Sequence, residues 1–253
     1  MKIYHYTSIG NLALILKSRK FRFTRLDKVD DPEEYKFFID GEKLAKYVFI
    51  ACFIKNEKES MPQWKMYGDN GRGVRIAFND PLFDIIIHNN KRYLLQNKEE
   101  NNFSIFPLLD DNCLHEIQYV RQLEEKSNSI VYGDCNNRVA DFKKIGIFKT
   151  KDWGFQGECR FILHIFPKCK NVPDYWKSNI NGYIISNNII NDFTFIDVPI
   201  SDEQYNKIEI TIGPNATESD RTMLRSLVKM YLGESVDFKE SIFLNKYHET
   251  QKD

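Results

Sequence analysis

Three polar side chains in the stretch GFQGECRF, residues 154–161, have the types and spacing to work together. Alternate residues of a strand share a face. A strand here puts Gln156, Glu158 and Arg160 in one polar row, with Phe155, Cys159 and Phe161 turned the other way into a core. Such a row on a central strand could line a cleft. Its commoner origin is a solvated sheet face with a Glu–Arg neighbour pair.

Two further stretches carry candidate groups. In QWKMYGDNGRG, Trp64 and Tyr67 lie three apart on a helical turn and face the same way. An aromatic there can stack on a flat heterocycle, although either ring could equally be core, and core is the reading for Trp64. The turn GDNGRG fits neither a Walker A loop nor GxGxxG and reads as a tight turn into a strand. In KIYHYTS, His5 sits between two tyrosines and ahead of Thr7 and Ser8. A histidine of this kind is more often a satisfied structural group.

Metal chemistry finds little support. His88, His115, His164 and His248 are dispersed, with no HxxxH pair. Cys52, Cys113, Cys135, Cys159 and Cys169 form no CxxC, and their odd number suits reduced thiols rather than disulfides. The acidic cluster Asp27, Asp30, Asp31, Glu33 and Glu34 could suggest a metal-dependent nuclease, but helix capping accounts for the last three. Neither G-x-S-x-G nor a Cys/His signature occurs.

The elements that must position these residues follow from local patterns. Residues 2–6 read as a short strand, Ser8 as an N-cap, and Leu12, Ile15, Leu16 and Arg19 as a helix. KFRFTRL alternates like a second strand. DDPEEYKFF starts a helix, with Asp31 as cap and Pro32 in its first turn. VFIACFI is a buried strand. SMPQWKMYG is a short helix capped by Ser60 and ended by Gly68, and GVRIAF is a strand with Val74, Ile76 and Phe78 on one face. Residues 88–112, rich in Asn, Lys and Glu, read as a surface insertion. EIQYVRQLEE is ambiguous between strand and helix. GECRFILHIF, residues 157–166, is a strand; 181–200 read as two or three short β segments; KIEITIGP is a strand. The helix at 217–232 carries a capping box of Thr217 and Asp220 and an apolar stripe of Leu224, Leu227, Val228 and Tyr231, with Gly233 after its end. SVDFKESIFL reads as a last strand. No repeat or linker interrupts this order, which predicts a single α+β domain over 1–253.

Composition agrees with a globular protein. The chain has 253 residues, 42% of them hydrophobic and 14% aromatic, enough to bury a sizeable core. Lys+Arg and Asp+Glu balance at 36 each, so net charge argues for neither nucleic acid nor membrane. There is no basic-then-apolar leader, and YVFIACFI is too short to span a bilayer. The expectation is a cytoplasmic protein without a membrane partner.

Several segments together resemble a widespread bacterial domain family of formerly unknown function. YHYTSIGNLALILKSRKFRFTRLDKVDDPEEY resembles its Y-H-Y-T-S start and N-D-P-E block, and ACFIKNEKESMPQWKMYGDNGRGVRIAF its W-x-x-Y segment. WGFQGECRF resembles its E-x-E-x-R segment, and IEITIGPNATESDRTMLRSL its late I-x-x-I-x-L-G-P block. That family in turn resembles the ADP-ribosyltransferase fold, a split β-sheet core with flanking helices and a His–Tyr–Glu triad. By position the triad is His5, Tyr67 and Glu158.

The resemblance implies NAD as substrate and no metal. Breaking the nicotinamide–ribose bond passes through an oxocarbenium-like state, which the Glu158 carboxylate would stabilise through the ribose 2′-hydroxyl. Tyr67 would stack on nicotinamide, and His5 would hydrogen-bond the adenosine ribose. Tyr6, Thr7 and Ser8 would help place the dinucleotide, with the helix N-terminus near its pyrophosphate. Gln156 stands where many relatives carry Glu. With Arg160 it would recognise the acceptor, a nucleobase of single-stranded RNA or DNA ranking above protein; Arg72 and Arg75 would add strand contacts. The implied role is a toxin of a toxin–antitoxin or anti-phage (antiviral defense) system, partnered by an antitoxin protein and acting by RNA modification. The alternatives are a non-catalytic nucleotide-binding or interaction module and an NAD-hydrolysing effector.

Overall fold

A computed structural model of the chain describes residues 1–39, 41–110, 113–133, 139–234 and 236–244. Strand β1, Lys2–Thr7, leads into helix α1, Ile9–Ser18, whose N-cap Ser8 accepts the Asn11 N–H at 3.1 Å. Arg19 ends the helix in the left-handed region at φ 53° and turns the chain into β2, Lys20–Arg25. Next come β3, Val48–Ile54; α2, Met61–Met66; and β4, Val74–Asn79. Beyond them lie β5, Phe103–Ile105; β6, Leu114–Glu116; α3, Glu124–Ile130; and β7, Glu158–Pro167. The chain continues through α4, Ile180–Ser186; β8, Phe195–Pro199; α5, Asp202–Tyr205; β9, Glu209–Ile212; α6, Glu218–Tyr231; and β10, Lys239–Glu240. The result is a mixed α/β fold around one ten-stranded sheet.

The sheet runs β6-β7-β3-β1-β4-β9-β10, with β5 beside the far end of β7 and β2 bridging β3 to β8. All ten residues of β7 are buried. Its odd positions, Phe161, Leu163 and Ile165, join Phe53, Leu12, Leu16, Leu224 and Val228 under α1 and α6. Its even positions Ile162 and Phe166 join Ile50, Tyr47 and Ile184 on the opposite face. Burial on both faces explains why this strand reads as a continuous apolar run after Arg160.

The sheet divides along one edge of β3. In β7, Glu158 accepts the Ile117 N–H and His164 accepts the Phe106 N–H, so its even residues turn their backbone groups away from β3. The register Cys159↔Phe53 and Phe161↔Ala51 then commits the odd residues of β3 to β7. The N–H and C=O of Ile50, Cys52 and Ile54 therefore face the other edge. Ile50 meets Thr24 of β2, and Ile54 meets Tyr4 of β1. Cys52, between them, pairs with neither strand. β1 and β2 splay apart there, held by α1 at their far ends.

The sequence reading needs correction at several elements. The helix expected after Asp31 is one 3₁₀ turn, Pro32–Tyr35, although Asp31 does cap it through the Glu33 N–H at 2.9 Å. Ser60 occupies its cap position without a side-chain cap bond. The segment 88–112 is not wholly a surface insertion. Ile86–His88 and Lys91–Tyr93 form an outlying hairpin, but Leu94 and Ile105 are buried and β5 pairs with Ile165–Pro167. Residues 111 and 112 of that segment lie outside the described residues. EIQYVRQLEE is both things in turn, a strand over Gln118–Val120 and then α3. Within 181–200 the first half is helix α4, because Asn179 caps it through the Gly182 N–H and burial falls on Ile184 and Ile185 alone. The last strand shrinks to β10, and Ser235 lies outside the described residues, as do Cys135 and His248. The remaining four cysteines form no disulfide. Phe155, expected in the core, is exposed at the end of a 3₁₀ segment.

Helix α6 conforms to its pattern. Thr217 accepts the Asp220 N–H, and Asp220 returns the bond to the Thr217 N–H at 2.8 Å. Such a box stabilises a helix start by about 1 kcal/mol.

Candidate active site

A cavity of about 280 Å³ opens at the division of the sheet. Its walls come from β1, β2, β3, residues 28–34, the end of α2 and the start of β7. His5, Tyr67, Gln156 and Glu158 all line it, as does Arg160.

Glu158 opens β7 and is 8% exposed. Its Oε1 accepts from Arg160 Nε, and its Oε2 accepts from Lys149 Nζ at 2.9 Å and from an Arg160 terminal nitrogen at 3.1 Å. These three bonds use most of the roughly four acceptor sites of a carboxylate. Burial alone would push this carboxyl up; Arg160 and Lys149 outweigh it and hold Glu158 at about 2. Glu34, 1% exposed, completes the cluster by pairing with Arg160 and, at 3.3 Å, with Lys149. Two carboxylates and two cations thus form a buried, electrically neutral tetrad.

Gln156 does not share a strand with Glu158. It ends the 3₁₀ segment Lys151–Gln156, and Gly157 at φ 55° turns the chain into β7. A side chain other than glycine is strained in that conformation. The carboxamide nevertheless reaches the tetrad. Its oxygen accepts from Lys149 Nζ at 2.7 Å, and its nitrogen donates to the Tyr67 hydroxyl at 2.8 Å. Both ends are engaged once and the side chain is 5% exposed. Arg160 is 1% exposed and spent on Glu34, Glu158 and the Gly146 carbonyl. Arg72 is bidentate to Asp220, and Arg75 lies buried over the Tyr4 ring. All four are engaged within the protein in this structure.

Tyr67 caps the C-terminus of α2, and burial pushes its hydroxyl up to about 12. Its ring borders the cavity while its partner Trp64 is fully buried, with the indole N–H on Glu59 at 2.9 Å. Trp64 is core, and it explains Gly68, where an added Cβ would come within 2.6 Å of the indole.

His5 lies within β1. Its ring packs edge-on against Phe21 at 4.8 Å, and Nδ1 reaches the Cys52 carbonyl at 3.0 Å. Burial pushes the imidazole down to about 4, so it is neutral near pH 7. A neutral ring on a carbonyl must carry its proton on Nδ1, which leaves Nε2 as an acceptor. Tyr6 borders the cavity but spends its hydroxyl on the Ser60 N–H and its ring on Trp64. Thr7 and Ser8 are not among the lining residues: Thr7 is buried and Ser8 is the α1 cap. The start of α1 is therefore not part of the cavity wall.

Sequence reasoning missed Glu34, Lys149 and Asp31. The first two sit 126 and 9 residues from their partners Arg160 and Glu158, distances without a periodic signature. The sequence explains Asp31 within its acidic cluster as a helix cap, yet it also lines the cavity. Among the described residues no three metal-ligating side chains come together, and no helix is long and apolar enough to cross a membrane. The model of a protein family of unknown function, DUF2971, matches residues 63–161, a span that contains Tyr67, Lys149, Gln156 and Glu158. No curated protein and no solved structure matches the chain.

Proposed function

We propose that the cavity binds NAD and that the chain is an NAD-dependent ADP-ribosyltransferase. The observation that carries this reading is convergence. His5, Tyr67 and Glu158 come from three distant segments and border one cavity, at a division of the sheet. In this reading Glu158 stays ionised and faces the positive charge that develops on the ribose. A ribose hydroxyl would take its remaining acceptor site or one that a present partner releases. Lys149 can yield, because Glu34 and Gln156 already hold it. Tyr67 offers a ring face, and His5 Nε2 accepts from a ribose hydroxyl. Lys28, exposed at the rim and without an ion-pair partner among the described residues, suits the pyrophosphate. An effector that modifies a macromolecule, RNA or DNA before protein, with an antitoxin partner, remains the role this activity would serve. In this reading Gln156 and Arg160 help to build the buried cluster around Glu158.

A second reading is favoured by one observation: the Glu158 carboxylate is already held by three bonds from Lys149 and Arg160. That suits a nucleotide-binding module without chemistry. Incubating the protein with NAD labelled in its ADP-ribose half and with cell lysate separates the two. Nicotinamide release with label entering RNA, DNA or protein is the expected result. Label ending as free ADP-ribose marks NAD hydrolysis, NAD binding without release marks the module, and absence of NAD binding overturns the proposal.

A further inference from the structure

Three buried side-chain polar atoms lack a hydrogen-bond partner among the described residues: Asp31 Oδ2, Arg75 Nε and Gln204 Oε1. Only Asp31 borders the cavity. Its side chain is fixed from one side, since Oδ1 accepts the Glu33 N–H. The residue is 3% exposed, so Oδ2 is withdrawn from bulk water. The nearby cations cannot serve it, because Lys149 and Arg160 are held by Glu34 and Glu158. A buried acceptor left open is costly, and native proteins rarely leave one without a reason. A donor for it would have to come from the cavity that Asp31 borders.

We propose that Asp31 is the specificity residue of this cavity, accepting an N–H from a primary carboxamide on an aromatic ring and rejecting the corresponding carboxylic acid. The chemistry is one of contrast. A carboxamide presents two N–H donors to Oδ2, whereas an acid ionised at neutral pH presents only negative oxygens to it. Tyr67 and Phe21 supply aromatic surface in the same cavity. Burial and the adjacent Glu34 both hold the Asp31 carboxyl above its ordinary range. A cationic ring or an N–H donor relieves that strain; an anion adds to it. The nicotinamide end of NAD has both features. The inference deepens the NAD reading, and its test also uses small amides so that the two can fail separately.

The experiment is calorimetric titration of the whole chain with four probes: NAD, its analogue bearing a carboxylic acid in place of the carboxamide, nicotinamide and nicotinate. The wild-type protein is expected to bind each amide roughly tenfold to hundredfold more tightly than its acid, the scale of one hydrogen bond to a charged group. Asp31→Asn and Asp31→Ser both keep an N-cap acceptor for Glu33, so thermal melts should stay close to wild type. In both variants amide affinity should fall about tenfold and the preference over acid should collapse. Amide preference in the wild type that survives both substitutions overturns the assignment while leaving NAD binding intact. Binding of nicotinamide without NAD would sink the NAD reading and keep Asp31. No preference between amide and acid in the wild type means that Oδ2 holds only a water, and the assignment falls.

Discussion

Glu158 and Asp220 are two carboxylates held at the same place on the pH scale, about 2, in opposite surroundings. Asp220 sits at the start of α6, where a bidentate bond from Arg72 is the largest cause and the capping box adds to it. Arg72 is half exposed, so the pair borders water. Glu158 is depressed against its own burial, and its partners Lys149 and Arg160 are buried as well. Equal values therefore do not mean equal roles. A partner in water can be lost with little left behind. A buried charge whose partner is lost has no solvent to turn to. The difference separates a carboxylate that fastens a helix from one around which a cavity is organised.

The largest effect follows from removing the charge of Glu158. Glu158→Gln should lower turnover by about 10²–10³, the scale of one electrostatic contact to a developing charge. The sequence alone suggests that folding would hardly change; the tetrad predicts otherwise. With Glu158 neutral, Lys149 and Arg160 face Glu34 alone, and stability should fall by about 3–5 kcal/mol. Adding Lys149→Met restores neutrality, one cation to one carboxylate. The double variant should regain a large part of the lost stability and none of the turnover. Denaturant melts and nicotinamide release read the two separately. Recovery of both would make Glu158 a purely structural residue.

The pH profile sharpens the comparison, because histidines and carboxylates act in different windows. His5 and His164 are pushed by burial from 6.5 to about 4. The unfolded chain takes their protons first, so the stability of the neutral fold is complete above pH 6.5 and is lost as pH falls toward 4. Glu158 and Asp220, lowered from 4.5 and 3.8 to about 2, contribute stability that is present above those values and lost toward 2. Two descending steps are expected. His164, on β7 away from the cavity with Nε2 on the Phe142 carbonyl at 3.0 Å, can be tested alone. His164→Gln should shrink the upper step by on the order of 3 kcal/mol and leave the lower one in place. A profile flat between 6.5 and 4 in the wild type would show that neither ring is buried as described.

Local signals were legible in the sequence and distant ones were not. Ser8, Asp31 and the Thr217–Asp220 box were readable because a cap and its partner N–H lie within three residues. The apolar run from Phe161 was readable because burial on both faces needs no periodicity. Gln156, Glu158 and Arg160 do come together, but by a different route from the strand alternation that suggested it: Gly157 breaks the strand between the first two. The tetrad could not be read because Glu34 and Lys149 reach β7 from a 3₁₀ turn and a short strand with no shared period. α4 was misread because isoleucines favour strands until a cap and one-sided burial decide otherwise. Bonding capacity was equally invisible. A sequence cannot say that the carboxamide of Gln156 is spent at both ends or that one oxygen of Asp31 is not.

The smallest effect is expected at Asp220, and it bears directly on the contrast with Glu158. Asp220→Asn keeps the shape of the side chain and an oxygen for the Thr217 N–H, but removes the charge that Arg72 grips. Arg72 can then return to water, so no buried charge is stranded. The cost should be about 1 kcal/mol, the value of a helix cap, and part of it should disappear in high salt because the partner is exposed. Turnover and NAD affinity should be those of the wild type, since neither residue borders the cavity. If the substitution costs as much as Glu158→Gln in a parallel melt, burial of the partners is not what distinguishes the two sites. If it lowers NAD affinity with stability intact, the link must run through Gly71 and Gly73 of the turn that Arg72 anchors. There the backbone packs against Asn215, Gly213 and the Thr7 carbonyl at the end of β1, two residues beyond His5.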